Sequence, residues 1–180
     1  MTEGKEQNAA LVIGTCHEYQ RHQDKVEASE QIRAALERRI RKIISDHKID
    51  LIAEEAGSDK EVWTALKEQE EKDSEILGAL IQGTEILSEP TQTIAKIVAD
   101  ECHITRIDIR PPKAAEMKAS ERDAAMGEKI ISSLGTATRV LVIVGRDHEP
   151  GVAEFLAETG FTVASESFPV APEQVEAEHE

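Results

Sequence analysis

The sequence predicts a three-layer α/β domain: a mostly parallel sheet of about five strands with flanking helices. Three observations carry that prediction. Short aliphatic runs of strand length recur along the chain, bounded by Gly, Pro or charged residues. Between them, longer segments repeat apolar residues at three- and four-residue spacing in a charged background, the pattern of amphipathic helices. The two kinds of segment alternate, and a helix between successive strands implies parallel pairing, because a parallel connection needs a crossover. The expected limits are a single α/β domain at residues 9–168, a disordered N-terminus at 1–8 and an acidic disordered tail at 169–180.

Taken in order, ALVIG at 10–14 is a buried strand by length and composition. Ile32, Leu36, Ile40, Ile43 and Ile44 mark an amphipathic helix over about 23–47. IDLIAEE at 49–55 is a second strand with carboxylates at its far end. Gly57 and Ser58 break the chain, and Ser58 with Glu61 matches a capping box opening a charged helix over 61–82. Ile94, Ile97, Val98 and Cys102 mark a helix over 91–102. ITRIDI at 104–109 is a third strand, stopped by Pro111 and Pro112. Ser120 with Asp123 caps a helix carrying Met126, Ile130, Ile131 and Leu134. RVLVIV at 139–144 is the clearest strand, a last helix opens near Pro150, and GFTVASE at 160–166 is the fifth strand.

Composition excludes several classes of function. The chain of 180 residues is 39% hydrophobic, enough for one domain with a core. Its 36 acidic and 21 basic residues give a net charge of -15, which argues against nucleic acid and against an anionic membrane surface. The acidic runs at 67–75 and 171–180 read as solvated faces or loose ends. Two cysteines, Cys16 and Cys102, are too few for a disulfide framework or a Cys-based zinc cluster. The N-terminal residues lack a signal pattern and no apolar stretch is long enough to cross a bilayer, so the expected location is the cytoplasm.

One motif occurs twice. LVIGTCHE and LVIVGRDHE each set Gly-x-x-His-Glu just past a buried strand, placing His17 and His148 in matched positions. In open α/β sheets ligands bind outside the carboxyl ends of the strands, near the point where strand order reverses. At that edge His17 follows strand one, Glu54 and Glu55 end strand two, Asp108 and Arg110 end strand three, and His148 follows strand four. With the order 3-2-1-4-5, strands one and four are neighbours and both imidazoles can converge on one ligand. Gly14 and Gly145 are expected to give the sharp exits from their strands. The structural alternative is that each His caps a strand end.

The segments GTCH, LIAEE, ERDAAM and VIVGRDHEPGVAEFLAETGFTV, in that order, resemble the TraB/TIKI superfamily, related to ChaN-like and erythromycin-esterase-like proteins. The likeness lies in the order of short motifs over nearly the whole chain. It implies functional roles for His17, Glu55, Arg122 and His148. Some members of the superfamily look like metal-dependent peptidases, while others are esterases or bind haem. Glu54 and Glu55 compete for the one family glutamate, and counting from Asp50 favours Glu55.

Two histidines and a carboxylate suit zinc or manganese, with His17, His148 and Glu55 as ligands. Such a metal activates a bound water for attack on a carbonyl, with Glu55 as ligand or general base. The metal-free alternative makes one His the base and Glu its orienting partner. Arg122, at a helix start, either binds a substrate carboxylate, steadies an oxyanion or pairs with Glu54. Asp108 and Arg110 line the pocket or pair with each other. Cys16, beside His17, is a candidate substrate-site residue, as a nucleophile activated by His148, or is buried filler at a strand end. The leading expectation is a metal-assisted hydrolase, peptidase- or esterase-like, acting on a small-molecule or peptide substrate. The alternative is a non-catalytic protein holding a small ligand or haem in the same groove.

Overall fold

The computed structural model describes residues 8–15, 27–56 and 93–168. Five strands form one all-parallel sheet: β1 (Ala9–Thr15), β2 (Leu51–Glu54), β3 (Thr105–Asp108), β4 (Arg139–Gly145) and β5 (Thr162–Ser167). Between them run α1 (Glu27–His47), α2 (Ile94–Cys102), α3 (Ala119–Ser133) and α4 (Glu149–Glu158), with a short 3-10 turn at Ala114–Glu116. The three-layer α/β class expected from the sequence is the fold observed. The terminal segments 1–7 and 169–180, the charged helix of 61–82, Cys16 and His17 lie outside the described residues.

The strand order is β3-β2-β4-β1-β5, which corrects the expected 3-2-1-4-5 by exchanging β4 and β1. Their adjacency stands, in register from Ala9 opposite Arg139 to Thr15 opposite Gly145. Hydropathy does not distinguish the two orders, because β1 and β4 are both apolar on both faces and suit either inner position. Specific polar contacts draw β4 to β2 instead. The Asp50 carboxylate accepts the backbone N–H groups of Thr138 and Arg139, each at 2.9 Å, and so ties the start of β2 to the start of β4. At the other end the Glu55 N–H donates to Ile143 O at 2.9 Å.

Each sheet face has its own core. On one face, Ile32, Leu36, Ile40 and Ile43 of α1 and Ile94 and Val98 of α2 pack with Ile13, Ile52, Leu141 and Ile143. On the other, Met126 and Ile130 of α3 and Val152 and Leu156 of α4 pack with Val12, Leu51, Val142 and Val144. The alternation of side chains along each strand produces this division. Burial of each such side chain contributes about 1.5–3 kcal/mol. β5, reading Thr-Val-Ala-Ser-Glu-Ser, is mostly exposed, as a sheet edge tolerates. Among the described residues no helix is long and apolar enough to cross a membrane.

This arrangement singles out one strand end. β4 continues into α4 on one face, whereas the next described helices after its neighbours β1 and β2 are α1 and α2 on the other. In open α/β sheets a change of helix face of this kind marks the strand end at which ligands bind, here the carboxyl end of β4.

Candidate functional site

His148 stands at that strand end. After Gly145 the chain folds back through a turn closed by the His148 N–H to Gly145 O at 2.8 Å, and α4 begins at the next residue. Pro150 fits that first helical turn because it has no N–H to lose there. The ring of His148 faces the start of α3, where its Nδ1 lies 2.6 Å from Asp123 Oδ1. Its Nε2 lies 3.1 Å from Nη1 of Arg122 and 4.0 Å from Oε1 of Glu55. A guanidinium has donors only, so Nε2 accepts and the ring proton sits on Nδ1, donated to Asp123. His148, Asp123 and Glu55 are all buried. The expected strand-end cap by the imidazole is not what forms; both ring nitrogens are committed to α3.

Glu55 lies just beyond β2 and fixes the turn that carries His148. Its Oε2 accepts the Gly145 N–H at 3.0 Å, while its Oε1 is the oxygen facing His148. Glu54, one residue earlier, points to the opposite sheet face, as the period of a strand requires. There it is fully buried, accepting from Thr93 Oγ1 at 2.8 Å and from Arg106 Nε at 2.5 Å. Desolvation pushes the Glu54 carboxyl above its usual range, opposed by the charge of Arg106 and the Thr93 hydroxyl. Glu55 and Glu54 therefore belong to different polar clusters, and only Glu55 joins His148. The expected pairing of Arg122 with Glu54 is corrected: Arg106 occupies Glu54, and Arg122 reaches His148.

Asp123 is the member that the sequence reading missed. A capping box of Ser120 and Asp123 was expected, but α3 begins at Ala119, and the Lys118 N–H donates to Glu121 Oε2 at 3.2 Å. That shift frees Asp123 to turn inward. The signal available for it is Gly151, three residues after His148. A Cβ built there would lie 2.1 Å from Asp123 Oδ2, so only glycine leaves room for the carboxylate. The motif glycines do not act as the sharp exits expected of them. Neither Gly14 nor Gly145 has a positive φ. Gly14 is needed for close approach, since its Cβ would fall 2.8 Å from Cβ of Glu149. Glu149 itself accepts from Ser167 Oγ at 2.6 Å and so links α4 to β5.

Asp108 and Arg110 do not form the side-chain pair that was one expectation. The Asp108 Oδ1 accepts the backbone N–H of Arg110 at 3.0 Å, an Asx turn leading the chain off β3 towards Pro111. β2 separates β3 from β4, so these residues sit one strand removed from His148. Cys16 and His17 lie outside the described residues; Thr15, which precedes them, is the cross-strand partner of Gly145.

The fit of a zinc or manganese ion can be tested on these contacts. Among the described residues no three His, Cys, Asp or Glu side chains converge as a metal-binding group. The lone pair of His148 Nε2 already accepts from Arg122, and a divalent ion there would sit against a guanidinium. The described donors, as arranged, do not fit a metal ion; Arg122 would first have to leave.

Comparisons with known protein families, curated proteins and solved structures find no match. The likeness to the TraB/TIKI superfamily rests on the short motifs alone.

Proposed function

We propose that the protein is a hydrolase of small carbonyl compounds, peptidase- or esterase-like, whose proton carrier is His148. The carrying observation is the Asp123–His148 pair at the end of the central strand, with Nδ1–H fixed on the carboxylate and the Nε2 lone pair covered by one N–H of Arg122, which swings aside before water can reach it. Such an imidazole accepts a proton from water as the oxygen adds to a carbonyl carbon. The imidazolium that results is stabilised by Asp123 at Nδ1 and by Glu55 near Nε2. The Nε2–H then protonates the leaving amine or alkoxide as its bond to the acyl carbon breaks, which restores the neutral ring. The reaction class comes from the TraB/TIKI resemblance and is part of the proposal.

A second reading has an observation of its own. A carboxylate on Nδ1–H is also how proteins orient a metal-ligating imidazole. On this reading His148, His17 and Glu55 would hold a divalent ion that supplies bound hydroxide, once Arg122 has turned away.

The test is hydrolysis of a panel of esters and peptides by chelator-treated protein, beside elemental analysis of untreated protein. The expected result is turnover without metal, reduced about 10²–10⁴-fold by His148→Ala. Near-stoichiometric metal, lost with activity in both His17→Ala and His148→Ala, would move the assignment to the second reading. Turnover unchanged in His148→Ala would refute both.

A further inference from the structure

Arg122 is short of acceptors. Its Nη1 donates to His148 Nε2, a neutral partner, at 3.1 Å. Its Nε is buried and has no hydrogen-bond partner among the described residues. The chain has 36 acidic residues, yet no described carboxylate forms an ion pair with this guanidinium. The carboxylates of its own cluster are engaged elsewhere: Asp123 with the imidazole and Glu55 with the Gly145 amide. A buried cationic N–H left without an acceptor costs more than an ordinary unmade hydrogen bond.

The geometry of the guanidinium says what would complete it. The Nη1 tip is used on His148, which leaves the Nε–Nη2 edge. That edge presents two parallel N–H groups in one plane, matching the two oxygens of a carboxylate. The same fork is filled elsewhere in this molecule, where Arg39 donates through Nε and Nη2 to the two carboxylate oxygens of Glu166.

We propose that the Nε–Nη2 edge of Arg122 receives a carboxylate of the substrate. The substrate class is then a small acyl compound that carries a free carboxylate near its scissile carbonyl. This inference rests on the hydrolytic reading of the site and narrows it. The net charge of -15 repels anions at long range, so selection must come from contact at this edge.

The experiment is a titration of ¹⁵N-labelled full-length protein with acetate at constant ionic strength, following the Arg122 Nε–H and His148 ring nitrogens. Saturable shifts of Arg122 Nε–H and of the His148 ring nitrogens are expected in the wild type, with the His148 response lost in Arg122→Gln and weakened about tenfold or more in Arg122→Lys, which keeps the charge without the fork. Persistence of the His148 Nδ1–H signal shows that Arg122→Gln keeps its fold. No saturable response in the wild type, or the same response in Arg122→Gln, would overturn the site. Phosphate binding more tightly than acetate would overturn the carboxylate assignment. The readout needs no turnover: acetate binding at Arg122 in a protein that hydrolyses nothing removes the hydrolase reading and leaves the anion site standing.

Discussion

The Asp123 Oδ2 occupies the space in which a side chain at residue 151 would begin, 2.1 Å from the ideal Cβ position of Gly151. Two helices thus meet through a carboxylate on one and a missing methyl on the other. Gly151→Ala tests whether that vacancy is functional. In a helix interior Ala is favoured over Gly by about 1 kcal/mol, so a glycine of no consequence should yield a more stable protein on replacement. The obstacle here is the end of a side chain, so the helices should keep their places while the carboxylate is pushed off the imidazole. The expected outcome is an intact fold by circular dichroism and loss of the Asp123-bound Nδ1–H resonance of His148. An unchanged resonance in a more stable variant would refute the positioning role.

Asp123→Asn addresses the proton itself. An amide at that site can donate to Nδ1 and drive the ring proton to Nε2, where it meets the N–H of Arg122. Hydrolysis should fall about 10²-fold or more, with the opposite tautomer seen by ¹⁵N spectroscopy. Wild-type turnover in a variant of changed tautomer would separate the tautomer from the chemistry.

Glu54 makes a prediction about pH. Its carboxyl is raised above the ordinary 4.5 chiefly by desolvation, so the folded protein holds the proton more tightly than the unfolded chain. Stability from this group is complete below that ordinary value and is lost as the pH rises through the raised one. Relative to Glu54→Gln, the wild type should therefore lose stability as pH increases above 4.5. Urea denaturation at a series of pH values measures it. A stability difference that is flat, or that grows in favour of the wild type, contradicts the desolvated state.

Glu55 is expected to matter to stability apart from any reaction. Glu55→Ala leaves the buried Gly145 N–H without its carboxylate and should cost about 1–3 kcal/mol. Glu55→Gln keeps an acceptor and should cost less. Hydrogen exchange at the Gly145 amide should quicken in the Ala variant and stay near wild type in the Gln variant. Equal exchange in both variants would mean that this hydrogen bond is not what holds the turn.

The sequence disclosed the elements more readily than their arrangement. RVLVIV could be read as buried on both faces, because no polar residue interrupts it, and the apolar spacing of Ile32, Leu36, Ile40 and Ile43 defined the face of α1. Neither pattern specifies lateral neighbours, which depend on contacts such as Asp50 with the amides of Thr138 and Arg139. At the site, His148 and Glu55 stood out by position at strand ends. Asp123 did not, since an Asp in the first turn of a helix has an ordinary reason to be there. Its partner lies 25 positions away, across a helix pair. The choice between Glu54 and Glu55 turned on which sheet face each meets, and a one-residue change of register exchanges them.

The placement of β1 has a consequence for how the chain is made. Ala9 near the start is paired on one side with Arg139 and on the other with Thr162. Both neighbours follow it far along the chain, so β1 must wait unpaired until they have been synthesised. Contacts this distant in sequence slow folding, because loop-closure entropy is lost before pairing rewards it. The polar contacts at the carboxyl end of β4 are consequently among the last features to appear, and are a natural spectroscopic marker that folding has gone to completion.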